Sequence, residues 1–127
     1  MRILFLAFLA CLSGSAAADW VAVATNKKMT TYADPSTIKA DGSISKMWSL
    51  YDWTPPKVNA QGVSHSSTKA LVEYDCAEER HRYVYSANFV DPMGRGNANL
   101  IDDKPTSWQP VIPGSVALKL YNTACKR

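Results

Sequence analysis

The sequence is poor in side chains that carry out reactions. It has two histidines, His65 and His81, and three cysteines that occur singly. It has no GxSxG motif around a nucleophilic serine, no GxGxxG phosphate-binding loop, and no CxxC or HxxxH spacing for a metal. These absences argue against a catalytic site, a cofactor site and a metal site, so we predict a protein that is not an enzyme.

Long apolar runs and a strong charge of one sign are also absent. The one apolar stretch, residues 3–12, is shorter than the about 20 residues that a transmembrane helix needs, so we predict no transmembrane segment. The 14 basic and 11 acidic residues give a formal net charge of +3. The basic residues are scattered singly or in pairs instead of forming a stripe, which argues against nucleic acid as a partner.

The first residues have the three parts of a secretion signal. Arg2 supplies a positive charge, residues 3–12 are apolar, and three consecutive alanines end at Ala18. We predict that residues 1–18 are a signal peptide cleaved after Ala18, and that residues 19–127 form a single domain. The exported protein is expected in the periplasm, on the cell surface or in the medium.

A lipid anchor is the alternative to free export. Phe8–Cys11 loosely resembles the box that precedes the acylated cysteine of a bacterial lipoprotein. Only ten residues would precede Cys11, however, and phenylalanine occupies a position where leucine is preferred. Free export is therefore favoured, and lipidation at Cys11 stays open.

Removal of the signal peptide leaves two cysteines, Cys76 and Cys125, in a compartment where disulfides persist. Two cysteines permit one pairing, and a loop of this length would stabilise the fold by roughly 4 kcal/mol in the chain-entropy model. A metal site that uses Cys76 and His81 is the alternative. It lacks any accompanying ligand spacing, so the disulfide is favoured.

Alternating apolar side chains predict β-strands over much of the mature chain. In residues 69–76 every second side chain is apolar, which predicts a strand with one core face. Residues 80–90 are predicted to pair with it across a short turn. Asp41-Gly42 is the strongest hairpin signal, and Pro55-Pro56 is expected to end the strand after it, because proline lacks the N–H that a ladder needs.

Two further strand faces follow from period-two spacing. One is predicted to be buried and consists of Ile44, Trp48 and Leu50. The other is predicted to carry all of His81, Tyr83, Tyr85, Ala87 and Phe89.

One helix is predicted, over residues 116–124. Ser115 before it can act as the N-cap, and one stripe of the helix is apolar, at Val116, Ala117, Leu120, Tyr121 and Ala124. Strands followed by a single terminal helix indicate an α+β domain, in which the C-terminal α-helix packs on one face of an antiparallel β-sheet.

Exposed loops on a rigid sheet are where a protein without catalytic groups would bind its partner. Residues 55–67 and 92–96 are predicted to be such loops. Tryptophan and arginine are enriched among interface hot spots. The candidate protein-binding residues in or beside these loops are Trp53, Lys57, His65 and Arg95.

Four segments resemble the surface-adhesin E family, a group of small exported proteins of Gram-negative bacteria. They are YADPSTI at 32–38, STKALVEYDC at 67–76, DPMG at 91–94 and PVIPGS at 110–115. The resemblance extends over nearly all of the chain from Trp20 to Cys125. It implies an antiparallel sheet of about six strands packed by the C-terminal helix, and a disulfide between Cys76 and Cys125.

The resemblance also implies a function in protein binding. The adhesin that gives the family its name binds extracellular-matrix and serum proteins. We therefore predict a non-catalytic binding module whose partner is an extracellular-matrix protein or another protein. The alternative is a structural or stress-related accessory protein of the bacterial cell envelope. The shared motifs are turns, core positions and cysteines, so they leave the ligand and the oligomeric state open.

Cleavage after Ala18 predicts a mature protein that begins at Asp19. Intact-mass analysis of the protein from its native host measures this directly. A mass that corresponds to acyl chains on an N-terminal Cys11 would contradict the prediction and would make the protein a lipid-anchored one.

Overall fold

The computed structural model describes residues 18–127. The predicted signal peptide up to residue 17, with Arg2 and Cys11, lies outside the described residues. The described chain forms strands and one helix in this order: β1 Val21–Thr25, β2 Met29–Asp41, β3 Ile44–Val58, β4 Ser64–Asp75, β5 Arg80–Phe89, a 3-10 turn Pro92–Gly94, β6 Ala98–Asp102, β7 Gln109–Pro110 and α1 Val116–Ala124.

All strands belong to one antiparallel sheet. The first six strands lie side by side in chain order, from β1 at one edge to β6, and β7 pairs with β5. Neighbours in sequence are neighbours in the sheet because short turns join them, as in a series of hairpins. At the hairpin turn between β2 and β3 Gly42 has a φ of 60°, which favours glycine. The predicted α+β class with an antiparallel sheet is confirmed.

Helix α1 lies against one face of the sheet. Ser115 begins it as predicted, because its hydroxyl accepts the backbone N–H of Leu118 at 3.2 Å. The helix buries Leu120, Tyr121 and Ala124. They pack on the core side chains of the sheet, which are Ala33, Met47, Tyr51, Ala70, Val72 and Tyr74. These residues lie on the face of the sheet that α1 covers.

The C-terminal end of α1 is tied to the end of β4. A disulfide joins Cys76 and Cys125, whose Cα atoms are 5.7 Å apart, and this confirms the predicted pairing. The hydroxyl of Tyr121 donates to the carbonyl oxygen of Cys76 at 2.9 Å, and Arg127 donates to the same oxygen at 2.7 Å. Covalent and polar contacts therefore converge on one short segment after β4.

The prediction that Pro55-Pro56 ends its strand is wrong. Strand β3 continues to Val58, and β4 already begins at Ser64. The pairing of β3 with β4 shifts between Asp52 and Lys57, so the two prolines lie in an irregular stretch that needs no ladder hydrogen bond from them. The predicted exposed loop 55–67 is consequently reduced to the short connection between the two strands.

The predicted faces of β3 and β5 also need correction. In β3, Met47 and Tyr51 face the helix, whereas Trp48 and Leu50 lie on the opposite face. Leu50 is fully buried there, as predicted, but Ile44 and Trp48 are only half-buried. In β5, Tyr83 pairs with Val72 and Tyr85 pairs with Leu71, so one residue between them has no partner. This bulge moves the side chains after it to the other face, because the period of a strand is two residues.

No helix among the described residues is long and apolar enough to cross a membrane. Helix α1 has nine residues, about 14 Å at 1.5 Å per residue.

The disulfide gives a direct stability prediction. Cys125→Ser should lower the free energy of unfolding by about 2–5 kcal/mol, because the 49-residue separation is no longer closed in the unfolded chain. Urea denaturation with and without reductant measures it. The wild type should lose stability on reduction, whereas the variant should not respond. A wild type whose unfolding midpoint is unchanged by reductant would contradict the prediction.

Candidate functional site

A groove lies at the end of the sheet where β1 turns into β2 and β3 leaves its regular pairing. Its volume is about 740 Å³. One wall is the turn Asn26–Met29, and the other wall is the segment Trp53–Lys57 at the irregular stretch of β3. Trp53, Pro55, Pro56 and Met29 give the groove an apolar lining.

Trp53 is held in place from two sides. Its ring stacks on Tyr51, with ring centres 6.1 Å apart and an angle of 21° between the planes. Its indole N–H donates to the hydroxyl of Thr68 at 3.1 Å, and that hydroxyl donates to the side-chain oxygen of Asn88 at 2.8 Å. Trp53 is half-buried. A preorganised aromatic side chain loses little conformational freedom when a ligand packs on it.

Lys57 covers part of the Trp53 ring. Its Nζ atom lies 3.9 Å from the ring centre, which is a cation–π contact. Lys57 is the cross-strand partner of His65. Partial burial lowers the pKa of the His65 imidazole, and the positive charge of Lys57 lowers it further.

The turn Asn26–Met29 is fixed to the opposite wall. The side-chain oxygen of Asn26 accepts the backbone N–H groups of Lys28 and Met29 at 2.8 and 3.0 Å. The backbone N–H of Thr54 donates to the carbonyl oxygen of Lys28 at 2.9 Å. Lys27 and Lys28 are thereby presented at the rim of the groove.

All charged side chains that line the groove are positive. Its lining includes Lys27, Lys28 and Lys57 and no acidic side chain. An apolar floor with a cationic rim favours an apolar ligand group that is flanked by negative charge.

Three of the four predicted binding residues come together at this end of the sheet, and one does not. Lys57 contacts Trp53 and pairs with His65. Arg95 follows the 3-10 turn, which is anchored elsewhere: the N–H of Met93 donates to Asp52, and the N–H of Gly94 donates to Ser67. Asp52 and Trp53 are successive strand residues, so their side chains point to opposite faces. The 3-10 turn before Arg95, which is anchored on Asp52, therefore lies on the face opposite Trp53.

The turn Asn26–Met29 was missed as part of the site. The polar run Asn26-Lys27-Lys28 marks only the end of a strand in the sequence. No local signal connects it with Trp53, because the two walls are brought together by the pairing of Met29 with Trp53.

Among residues 18–127, no three histidine, cysteine, aspartate or glutamate side chains are grouped so that they could hold a metal ion. His81 lies away from the groove and stacks on Tyr74 with ring centres 6.2 Å apart. Burial lowers the pKa of His81.

The fold is similar to solved structures of Haemophilus influenzae protein E. Crystal form II of that protein has a TM-score of 0.69 and 13% sequence identity, over 88% of this chain and 91% of that chain. Its selenomethionine form has a TM-score of 0.65 and 14% identity, over 88% and 89%. At this identity the likeness shows the fold.

The sequence comparisons give one family. The profile of the family described as surface-adhesin protein E matches residues 20–126, nearly the whole part of the chain that the structure describes. A comparison with curated protein sequences gives no match.

The cross-strand pairing of Lys57 with His65 predicts that the pKa of His65 depends on the charge of Lys57. Lys57→Gln should raise the pKa of His65 because it removes the positive charge that opposes protonation, while the effect of burial remains. NMR titration of the two histidine rings measures the change. His81 is the internal control, since burial alone lowers its pKa. An unchanged His65 pKa in the variant would show that the two side chains are not neighbours.

Proposed function

This chain belongs to the surface-adhesin protein E family, and on that basis we propose that it is an exported, non-catalytic module that binds another protein. The partner is an extracellular-matrix protein or a protein of the bacterial envelope. The Cys76–Cys125 disulfide is consistent with export, because such bonds persist in oxidising compartments. The proposed location is the periplasm, the cell surface or the medium, after removal of the predicted signal peptide.

The observation that carries the proposal is the groove at Trp53. It combines an aromatic side chain held by Tyr51 and Thr68 with a rim of three lysines. Hot spots of protein interfaces are often tryptophans in such partly enclosed settings, surrounded by residues that exclude water. We propose that Trp53 is the anchor of the interface and that Lys57 and His65 lie at its rim.

The charge of the groove indicates what the partner should present. An apolar side chain would pack on Trp53, where Pro55 and Pro56 extend the apolar surface. Acidic residues on either side of it would meet Lys27, Lys28 and Lys57. Electrostatic complementarity of this kind raises the association rate and makes binding depend on salt.

Trp53→Ala is expected to weaken binding to the partner by about 2 kcal/mol, the size of an interface hot spot. A panel of extracellular-matrix proteins and envelope extracts, read by surface plasmon resonance, identifies the partner and measures the change. Trp108→Ala is the matched control, because Trp108 packs against Arg80 and Arg82 and not in the groove. Lys57→Glu tests the same site with an exposed side chain, and it should weaken binding without loss of the fold.

Comparison of Arg95→Ala with Trp53→Ala shows which of the two predicted regions holds the interface. Arg95→Ala reports on the second predicted loop, and loss of binding there without an effect of Trp53→Ala would move the interface to the other face. If no partner is found while deletion of the gene damages the envelope, the protein is an envelope accessory protein and the adhesin function is refuted.

A further inference from the structure

The hairpin that joins β3 to β4 ends in a tip, residues 58–63, with exposed apolar side chains. Val58 is 66% exposed and Val63 is 43% exposed. Val58 pairs with Ser64. The backbone N–H of Asn59 donates to the carbonyl oxygen of Val63 at 3.0 Å, which makes these two residues the next pair. Successive pairs face opposite sides of a hairpin, so the two valines lie on opposite faces of the tip.

The tip is held in shape by its own hydrogen bonds. The side-chain oxygen of Asn59 accepts the backbone N–H groups of Gln61 and Val63 at 3.0 and 2.9 Å. The backbone N–H of Gly62 donates to the carbonyl oxygen of Asn59 at 3.0 Å. Residues 58–63 contain no charged side chain. Contact of the tip with an apolar environment therefore buries no charge, and the bonded backbone groups keep their partners.

Three lysines lie close behind the tip. Lys57 directly precedes Val58 in β3, and Lys27 and Lys28 line the same groove as Lys57. The carbonyl oxygen of Lys28 accepts the backbone N–H of Thr54 at 2.9 Å, which fixes the lysine turn to β3. All three lysines are exposed. Their ammonium groups are therefore free to meet a surface that the tip contacts.

The distance from the lysines to the tip is short on the electrostatic scale. Between the pairs Asp52–Ser67 and Val58–Ser64, β4 advances by three residues, or about 10 Å. The turn Asn26–Met29 is bonded to β3 within this interval. Charges in physiological salt act over a Debye length of about 8 Å. Negative groups on a surface at the tip would therefore attract all three lysines.

Acidic side chains near the tip do not offset these lysines. The sequence has no acidic residue in residues 20–33 or 53–72. Asp52 lies on the face opposite the groove, where the 3-10 turn covers it. Asp91 and Arg95 lie in the same connection and carry opposite charges, so that segment adds no net charge. The groove side of this end of the sheet is therefore positive.

The two faces of the tip decide between a protein and a membrane as the partner. A protein that docks in the groove contacts one face of the hairpin and leaves the valine of the other face in water. A lipid surface that the tip enters end-on contacts both valines at once. Apolar side chains at the boundary of the headgroups combined with flanking basic residues are the usual means of peripheral membrane binding.

We propose that this end of the sheet docks on the surface of an anionic membrane. Val58 and Val63 enter the headgroup region, and the three lysines behind them lie next to lipid phosphates. This inference does not rest on the proposed protein partner. A membrane and a protein in the groove at Trp53 would compete, because both contact the same lysines.

Co-sedimentation with vesicles tests the role of charge. Vesicles of equal parts phosphatidylglycerol and phosphatidylcholine should bind the protein at about 0.15 M salt, and vesicles of phosphatidylcholine alone should bind it much less. Lys27→Gln with Lys28→Gln should weaken binding about tenfold, because each basic residue near the surface adds attraction. Lys104→Gln with Lys119→Gln is the matched control. These two lysines are also exposed but do not line the groove, so binding should be retained.

A second pair of variants tests insertion of the tip. Val58→Ser with Val63→Ser should weaken binding to the anionic vesicles about tenfold, because the apolar area that leaves water is lost. The control is Ile112→Ser. Ile112 is 57% exposed but follows β7, which pairs with the beginning of β5 at the other end of the sheet. Both variants should remain folded, since the substituted side chains are exposed.

NMR locates the membrane without any substitution. Spin-labelled lipid in the vesicles should broaden the methyl signals of Val58 and Val63 and leave those of Ile112 sharp. Absence of binding to the anionic vesicles overturns the proposal, as do equal binding to neutral vesicles and an equal loss in either control. A loss with the lysine variant alone indicates adsorption without insertion and also overturns it. No protein partner is present in these assays, so their failure leaves the proposed protein binding at Trp53 as it stands.

Discussion

The packing of α1 on one face of the sheet is the contact on which the rest of the structure depends. Tyr121 lies edge-on to Tyr74 with ring centres 6.4 Å apart, and the hydroxyl of Ser45 donates to the carbonyl oxygen of Ala124 at 2.7 Å. A nine-residue helix is too short to be stable alone. It persists because its apolar stripe is buried, and because the disulfide at Cys125 prevents its end from fraying.

Helix α1 covers one face of the sheet and leaves the opposite face without a covering helix. Side chains alternate along a strand, so the residues between the core positions of β2, β3 and β4 face away from the helix. Trp48 and Lys46 therefore lie on the face of the sheet opposite the helix. The groove at Trp53 lies at the end of the sheet, away from the ring of Trp48.

Much of the fold could be predicted because its signals are local. The cap at Ser115, the apolar stripe of α1 and the alternation before Cys76 each depend on residues close in sequence, and all agree with the structure. The faces of β3 and β5 could not be assigned reliably. A bulge such as the one between Tyr83 and Tyr85 is decided by how the neighbouring strand pairs, and one unpaired residue reverses every side chain after it.

By itself the sequence determined the class of domain, its family resemblance and the pair of cysteines, since composition, period and motif order carry that information along the chain. It also identified Trp53, Lys57 and His65 as residues of interest, although it placed the last two in a loop. Only the tertiary structure decided that Trp53 and Lys57 line a groove with Asn26–Met29 as its other wall, that His65 pairs with Lys57 beside it, and that Arg95 lies apart from them. The reason is physical: cross-strand pairing brings together residues that are distant in the chain, and the register of that pairing is set by packing of the whole sheet.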